Sequence, residues 1–201
     1  MRTTTRRLRT ARGIVTIALI AGAGTIYGLN RYPSAQNNAA LPIPTDIATP
    51  GAVWTAYPLS WHDGDTLTVE RAGRSYKVRL AGVDAPEPAQ PSGPQALRFT
   101  YDATQAGPLS LKTQTVDLYK RIVADVTTPA GVDVERALVG AGLAWQYNEF
   151  PSDDATLPTL EAQAQAANIG LWQQASPETP WAYRQRVRAE AAAARAQQAA
   201  N

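Results

Sequence analysis

Four carboxylates and two arginines, set in short motifs between residues 63 and 121 of this 201-residue chain, could do chemistry together. Asp63 and Asp65 sit in His62-Asp63-Gly64-Asp65-Thr66, and Asp84 and Glu87 in Val83-Asp84-Ala85-Pro86-Glu87. Arg79 precedes Asp84 by five residues, and Arg121 closes Asp117-Leu118-Tyr119-Lys120-Arg121. Carboxylates that meet in space need a cation or a proton between them. The chain has one histidine, His62, and no cysteine, so a zinc site of the His/Cys kind, a disulfide and a thiolate nucleophile are all excluded. Hard oxygen ligands point instead to Ca²⁺ or Mg²⁺. A guanidinium holds phosphate oxygens two at a time and stabilises the charge that builds as a phosphodiester becomes five-coordinate. A carboxylate not used by the metal is available to deprotonate a water. Each motif alone has a structural explanation as a turn, Asp-Gly and Asp-Ala-Pro-Glu being ordinary turn sequences. Taken together they imply metal-assisted phosphodiester hydrolysis.

Short strands are what the sequence offers to position these groups. Runs of β type span 53–59, 66–70, 75–82, 109–114 and 122–127, separated by turn signals at Asp63-Gly64, Ala72-Gly73 and Ala130-Gly131. Period two in 75–82 turns Tyr76, Val78 and Leu80 toward a core and leaves Lys77, Arg79 and Ala81 on the other face. Helical stretches are expected at 93–105, at 133–140 with Asp133 as N-cap, and at 159–168 closed by Gly170. Five strands with helices between and after them predict an α+β fold built on a small barrel of OB type.

The formal charge of +2 hides a segregation. Residues 1–31 carry six Arg and no acid, whereas 52–175 carry nine Lys/Arg against fourteen Asp/Glu. The basic balance belongs to the ends, so it is weak evidence for nucleic-acid binding by the domain. Residues 1–12 are a basic segment, and 13–29 an uncharged apolar run intermediate between a signal peptide and a full membrane span. Ala21-Gly22-Ala23 offers a small-residue cleavage site inside that run, which favours an uncleaved anchor over a signal peptide. Arginines ahead of the run send the rest of the chain across the membrane, to the periplasmic or extracellular side. Residues 30–51, rich in Pro and Asn, read as a tether, 52–175 as the domain, and 176–201 as an Ala/Arg-rich C-terminal helix opened by Thr179-Pro180. The apolar stripe of that helix is thin, and a solvated tail is its simplest reading.

In order along the chain, Asp63-Gly-Asp-Thr66, Arg79-Leu-Ala-Gly-Val-Asp84-Ala-Pro-Glu87, Asp117-Leu-Tyr-Lys-Arg121, Gly142-Leu-Ala-Trp145, Leu160-Glu-Ala-Gln-Ala and Gly170-Leu-Trp172 resemble the staphylococcal nuclease (thermonuclease) family over about residues 53–173. The resemblance implies a five-stranded OB barrel with three helices and a Ca²⁺-dependent nuclease acting on DNA and RNA. It implies metal ligation by Asp65, Asp84 and the main-chain carbonyl of Ala85, a general base at Glu87, and phosphate binding by Arg79 and Arg121. Tyr119 matches a tyrosine at the nucleotide phosphate, and Tyr147 lies near a second one. Asp63 is either a residue orienting a metal-bound water or a simple turn residue. Lys120 departs from the family, which usually has Gly there; a need for positive φ at that position would disturb the aim of Arg121. The acidic domain predicts weak, salt-sensitive capture of long DNA.

His62 reads as a partly exposed strand-end residue, and Trp54, Trp61, Trp145 and Trp172 as core packing, with Trp181 opening the tail. Two other functions compete with an exported or membrane-tethered nuclease: an OB module that binds nucleic acid or a protein without catalysis, and a structural element that docks through its tail helix.

Overall fold

The computed structural model describes residues 41–149, 152 and 154–200. The apolar run at 13–29 and the first part of the stretch at 30–51 lie outside the described residues. Among the described residues no helix is long and apolar enough to cross a membrane.

Alternation along the first strand sets the barrel's inside and outside. β1 (Val53–Trp61) buries Trp54 and Ala56 and turns Val53, Thr55 and Tyr57 outward, with its register slipping between Pro58 and Ser60, where a proline cannot donate to the ladder. β2 (Thr66–Arg71) and β3 (Arg74–Leu80) form a hairpin over Ala72-Gly73. Both turn residues have positive φ, 53° and 76°, the geometry whose twist matches a two-residue hairpin. β4 (Val83–Asp84) is followed by α2 (Gly93–Thr104), then β5 (Leu109–Val116) and β6 (Ile122–Thr127). The barrel closes in the order β1-β2-β3-β6-β5. Its closure is a parallel pair, β3 on β6, with Val78 opposite Ile122 and Arg79 opposite Val123. The expected five-stranded barrel is therefore present, and the five predicted runs are its strands.

Leu67, Val69, Val78, Leu80, Leu109, Leu111, Ile122 and Val126 fill the interior with no exposure. Each contributes about 1.5–3 kcal/mol by leaving water. α3 (Val134–Gly140) and α4 (Leu157–Ala166) match two of the expected helices. The Asp133 side chain accepts from the Arg136 amide at 2.8 Å, as an N-cap does. A two-residue β7 (Trp145–Gln146) pairs with β4, and a 3₁₀ turn (Gly170–Gln173) precedes α5 (Pro180–Ala200).

The structure departs from the sequence reading in the stretch at 30–51. Thr45–Ala48 form a helical turn, α1, whose Ile47 is fully buried and whose carbonyl accepts from Thr113 Oγ1 at 2.7 Å. Arg74 donates to the Pro42 carbonyl at 2.9 Å, and Arg71 pairs with Asp46. One apolar residue between prolines carries no period, so only packing on the barrel reveals the turn.

The β5–β6 connection settles how Lys120 is tolerated. Asp117 Oδ1 accepts from the amides of Tyr119 and Arg121, both at 2.9 Å, and the Lys120 amide donates to the Asp117 carbonyl. This carboxylate-held turn carries Lys120 at φ 59°. A left-handed backbone costs a residue with a Cβ about 1–2 kcal/mol, and the wider freedom of an unfolded glycine offsets part of that. Unfolding in urea is expected to rank Lys120→Gly above the parent by about 0.5 kcal/mol and the β-branched Lys120→Val below it by 1 kcal/mol or more; the reverse order would show that the turn is not strained at this residue.

Glu135 on α3 gives a second test. It is buried, both its oxygens approach the Val126 amide at 3.0 and 3.2 Å, and burial together with the Asp133 charge pushes its carboxyl well above the usual range. The folded state therefore holds this proton more tightly than the unfolded chain does. Its stabilising contribution is complete below the ordinary glutamate range and is lost as pH rises through the raised value. Glu135→Gln, which carries no charge to desolvate, should gain in melting temperature relative to the parent as pH is raised from 5 to 8; a constant difference would contradict this.

Candidate active site

Strand pairing brings together residues that are far apart in the chain. Thr66 faces Arg79 across β2 and β3, so Asp65 arrives at the end of β3, where the Leu80 amide donates to its carbonyl at 2.8 Å. The parallel pairing of β3 and β6, with Ile122 opposite Val78, sets Arg121, one residue ahead of β6, alongside the Lys77 position of β3, and both side chains line one cleft. β4 and β7 then fold over the end of β3, with Asp84 opposite Trp145 and the Tyr147 amide donating to the Gly82 carbonyl at 2.8 Å. α2 seals the back: Thr100 Oγ1 donates to the Gly64 carbonyl at 2.6 Å, and a Cβ on Gly64 would lie 2.6 Å from that of Ala96 and 2.7 Å from that of Ala85.

A cleft of about 730 Å³ opens at this end of the barrel. Asp63, Asp65, Arg79, Ala85, Glu87, Tyr119, Arg121 and Tyr147 all line it. Asp84 does not reach its surface. That carboxylate is fully buried beneath, between two arginines.

Arg79 is the centre of the floor. Its Nη1 donates to Asp65 Oδ1, and its Nη2 to Asp84 Oδ1 at 2.8 Å and to the Val83 carbonyl at 3.1 Å. All three side chains are nearly or wholly excluded from water. The strand alternation correctly put Arg79 on the face opposite Val78; Lys77 on that face is exposed, whereas Arg79 is buried against Val83 and Asp84. Asp65 also accepts from Thr66 Oγ1 at 2.9 Å and, through Oδ2, from the Ala85 amide at 2.7 Å. Burial pushes its carboxyl up, while Arg79 and these donors outweigh it and leave it below the ordinary range. Asp84 goes the other way: burial holds it above the ordinary range, with the Asp65 charge adding to the rise and Arg184 and Arg79 opposing it. Asp63, half-buried, is pushed up to about 7 by its loss of solvent and by the neighbouring Asp65 charge. Its Oδ1 accepts from the Asp65 amide at 3.0 Å, so it does turn work whatever else it does. The floor thus carries more carboxylate charge than Arg79 neutralises.

At the rim, Asp117 Oδ2 accepts from Arg121 Nε at 2.7 Å, and the Arg121 guanidinium lies over the Tyr119 ring, 5.4 Å from its centroid. Tyr119 itself is three-quarters exposed. Burial, followed by Glu149, pushes the Tyr147 hydroxyl up to about 12. His62 stays outside, exposed at the end of β1 with its Nε2 2.8 Å from Thr68 Oγ1. Trp54 packs in the core and donates to Thr113 Oγ1, and Trp61 donates to Thr104 Oγ1.

The sequence reading missed the fourth wall. The first turns of α5 are not a solvated tail: Trp181 stacks on Tyr147, ring centroids 5.3 Å apart at 22°, and Trp181, Arg184, Gln185 and Arg188 line the cleft. Arg184 Nη2 donates to Asp84 Oδ2 at 2.7 Å and its Nη1 to Glu87 Oε1 at 2.9 Å. The spacing of Trp181, Arg184, Gln185 and Arg188 places them on one helix face. That spacing was the available signal, concealed because its polar members do not count toward an apolar stripe.

The family described as staphylococcal nuclease homologue matches residues 77–174. A protein of Escherichia coli named uncharacterized endonuclease is 36% identical over 129 residues, 62% of this chain and 80% of that one. A micrococcal nuclease of Shigella flexneri is 30% identical over 131 residues, 61% of this chain and 75% of that one. A probable staphylococcal-like nuclease of Oryza sativa subsp. japonica is 34% identical over 115 residues, 57% of this chain and 34% of that one. These relatives support a nuclease function, and with the barrel and the cleft described above, the chain belongs to the staphylococcal nuclease family.

Proposed function

We propose that this protein is a Ca²⁺-dependent nuclease that hydrolyses phosphodiester bonds of DNA and RNA with little sequence preference. The carrying observation is the convergence of Asp65, Arg79, Asp84, Glu87 and Arg121 at one end of the barrel. The donor chemistry fits a hard divalent cation: Asp65, Asp84 and Glu87 bring carboxylate oxygens together at the floor and its lip, with no thiolate or imidazole among them. Among the described residues no group of three carboxylates or imidazoles forms a ready cage. Asp65, Asp84 and the Ala85 carbonyl would hold the ion from one side, with water and substrate oxygens completing its shell, as a weakly held Ca²⁺ accepts. Held there, such an ion would supply Lewis-acid polarisation of a phosphoryl oxygen and offset its growing charge.

The chain's own residues do the rest. Glu87 lines the cleft at the lip of the floor and takes the proton of the attacking water. Arg121, steadied at Nε by Asp117, and Arg79 on the floor stabilise the five-coordinate phosphate. Tyr119 and Tyr147 flank the path of the nucleotide, and Asp63 steadies the Asp65 loop or a water above it. A readout without base-edge contacts gives little sequence preference. Export fits the low Ca²⁺ affinity of such a site, since extracellular Ca²⁺ is abundant. We infer it from the apolar run at 13–29, as a membrane anchor on the inner membrane or a cleaved signal, with the domain on the outer side.

The test is degradation of single-stranded DNA by the purified full chain in Ca²⁺ against a chelator. Cleavage is expected only with Ca²⁺. Glu87→Gln should lower kcat by about 10²–10⁴-fold, and Arg121→Ala by about 10²–10³-fold, each with an unchanged circular dichroism spectrum. Full activity in Glu87→Gln would remove its assigned role. A folded parent that binds oligonucleotide without Ca²⁺ and never cleaves would return the protein to the binding-module reading.

A further inference from the structure

The cleft contains a cation of its own. Arg184 reaches from α5 to both oxygens of Asp84, at 2.7 and 3.3 Å, and to Glu87 Oε1 at 2.9 Å. Those are the carboxylate proposed to hold the metal and the one proposed to take the water's proton. Its approach is built in. Buried Gln90 accepts from the Glu87 amide and donates to the Glu178 carbonyl, both at 2.9 Å, tying the Glu87 loop to the start of the helix. Gln174 Nε2 donates to Ser92 Oγ at 3.4 Å, Trp181 stacks on Tyr147 and meets Trp145 edge-on, and Arg186 bonds Glu178 and Glu190 on the outer side.

We propose that α5 is a strap whose Arg184 competes with the divalent cation for Asp84, so that the tail sets the cation concentration at which the site turns on. The proposal rests on the nuclease reading above. A hard cation takes carboxylate oxygens at about 2.3–2.6 Å, and at Asp84 Oδ2 it would stand against a guanidinium already within 2.7 Å of the same oxygen. A divalent cation and a guanidinium repel strongly in so poorly hydrated a site, and at contact distance both would crowd Oδ2, so binding the ion displaces Arg184 from that oxygen. Its departure also frees Glu87 Oε1. Arg184 is about one-third exposed, whereas Asp84 is wholly buried, so the helix can withdraw its arginine toward solvent while the carboxylate stays in place.

Calorimetric Ca²⁺ titration of the full chain, without substrate, compares the parent with Arg184→Ala and Arg184→Lys. Removing the competing charge-assisted bonds should tighten Ca²⁺ binding by about tenfold in Arg184→Ala. The single-point ammonium of Arg184→Lys cannot span both carboxylates, so it should fall between. Ca²⁺ should also raise the melting temperature of Arg184→Ala more than that of the parent, and half-maximal cleavage should move to lower Ca²⁺ by the same factor. Equal or weaker Ca²⁺ affinity in Arg184→Ala overturns the proposal, as does Ca²⁺ binding by none of the three proteins. A raised oligonucleotide KM with unchanged Ca²⁺ affinity also overturns it, making Arg184 a substrate contact. If Ca²⁺ affinity rises as expected but no protein cleaves at saturating Ca²⁺, the strap stands and the nuclease reading falls.

Discussion

The buried chain Asp65–Arg79–Asp84 is the interaction on which the rest of the site depends. Three charged groups sit together with almost no access to water. Desolvating them is costly, and further hydrogen bonds offset part of that cost: Thr66 and the Ala85 amide for Asp65, the Val83 carbonyl for Arg79, Arg184 for Asp84. Deleting one member of such a set leaves a buried charge uncompensated, a loss of about 3–5 kcal/mol. The set also fixes geometry, because the ends of β2, β3 and β4 cannot shift independently while one guanidinium bridges their carboxylates and carbonyl.

That arrangement leaves a charge imbalance with a functional direction. Asp65 and Asp84 share Arg79, Asp63 stands beside them, and Glu87 stands at the lip, with Arg184 bridging Asp84 and Glu87. Surplus carboxylate charge in a poorly hydrated floor attracts a cation. Arg184 supplies one from within the chain, and the proposed Ca²⁺ supplies another from outside. The same cleft presents Arg121 and Arg188 at its walls, a local positive charge even though the domain as a whole is acidic. Local field and net charge point in opposite directions here, which is why composition alone says little about the partner.

Much of the fold was legible because its signals are short-range. The Ala72-Gly73 hairpin, the Asp133 cap and the five β runs each depend on a few neighbouring residues, and each is found where the sequence put it. The pair β4 and β7 was not legible: two residues each, they hold no period and exist only because they meet. Ile47 in α1 is a second case, since a single buried apolar residue between prolines becomes a core residue only when the barrel is beneath it. Lys120 lay between the two cases. The sequence posed the question of positive φ, and the answer depended on Asp117 holding the turn through its own side chain.

By itself the sequence determined the chemistry available: carboxylates and guanidiniums in ordered motifs, no thiol, and one histidine. Residue type and strand spacing are properties of the chain, so the candidates Asp65, Arg79, Glu87 and Arg121 could be named before any fold was seen. Only the tertiary structure decided that Asp84 is sealed under the floor while its neighbours line the cleft. Only it decided that Arg184, one hundred residues further along the chain, reaches Asp84. Burial and long-range ion pairs arise when separate elements exclude water between them, and no local pattern of residues encodes which elements will do so.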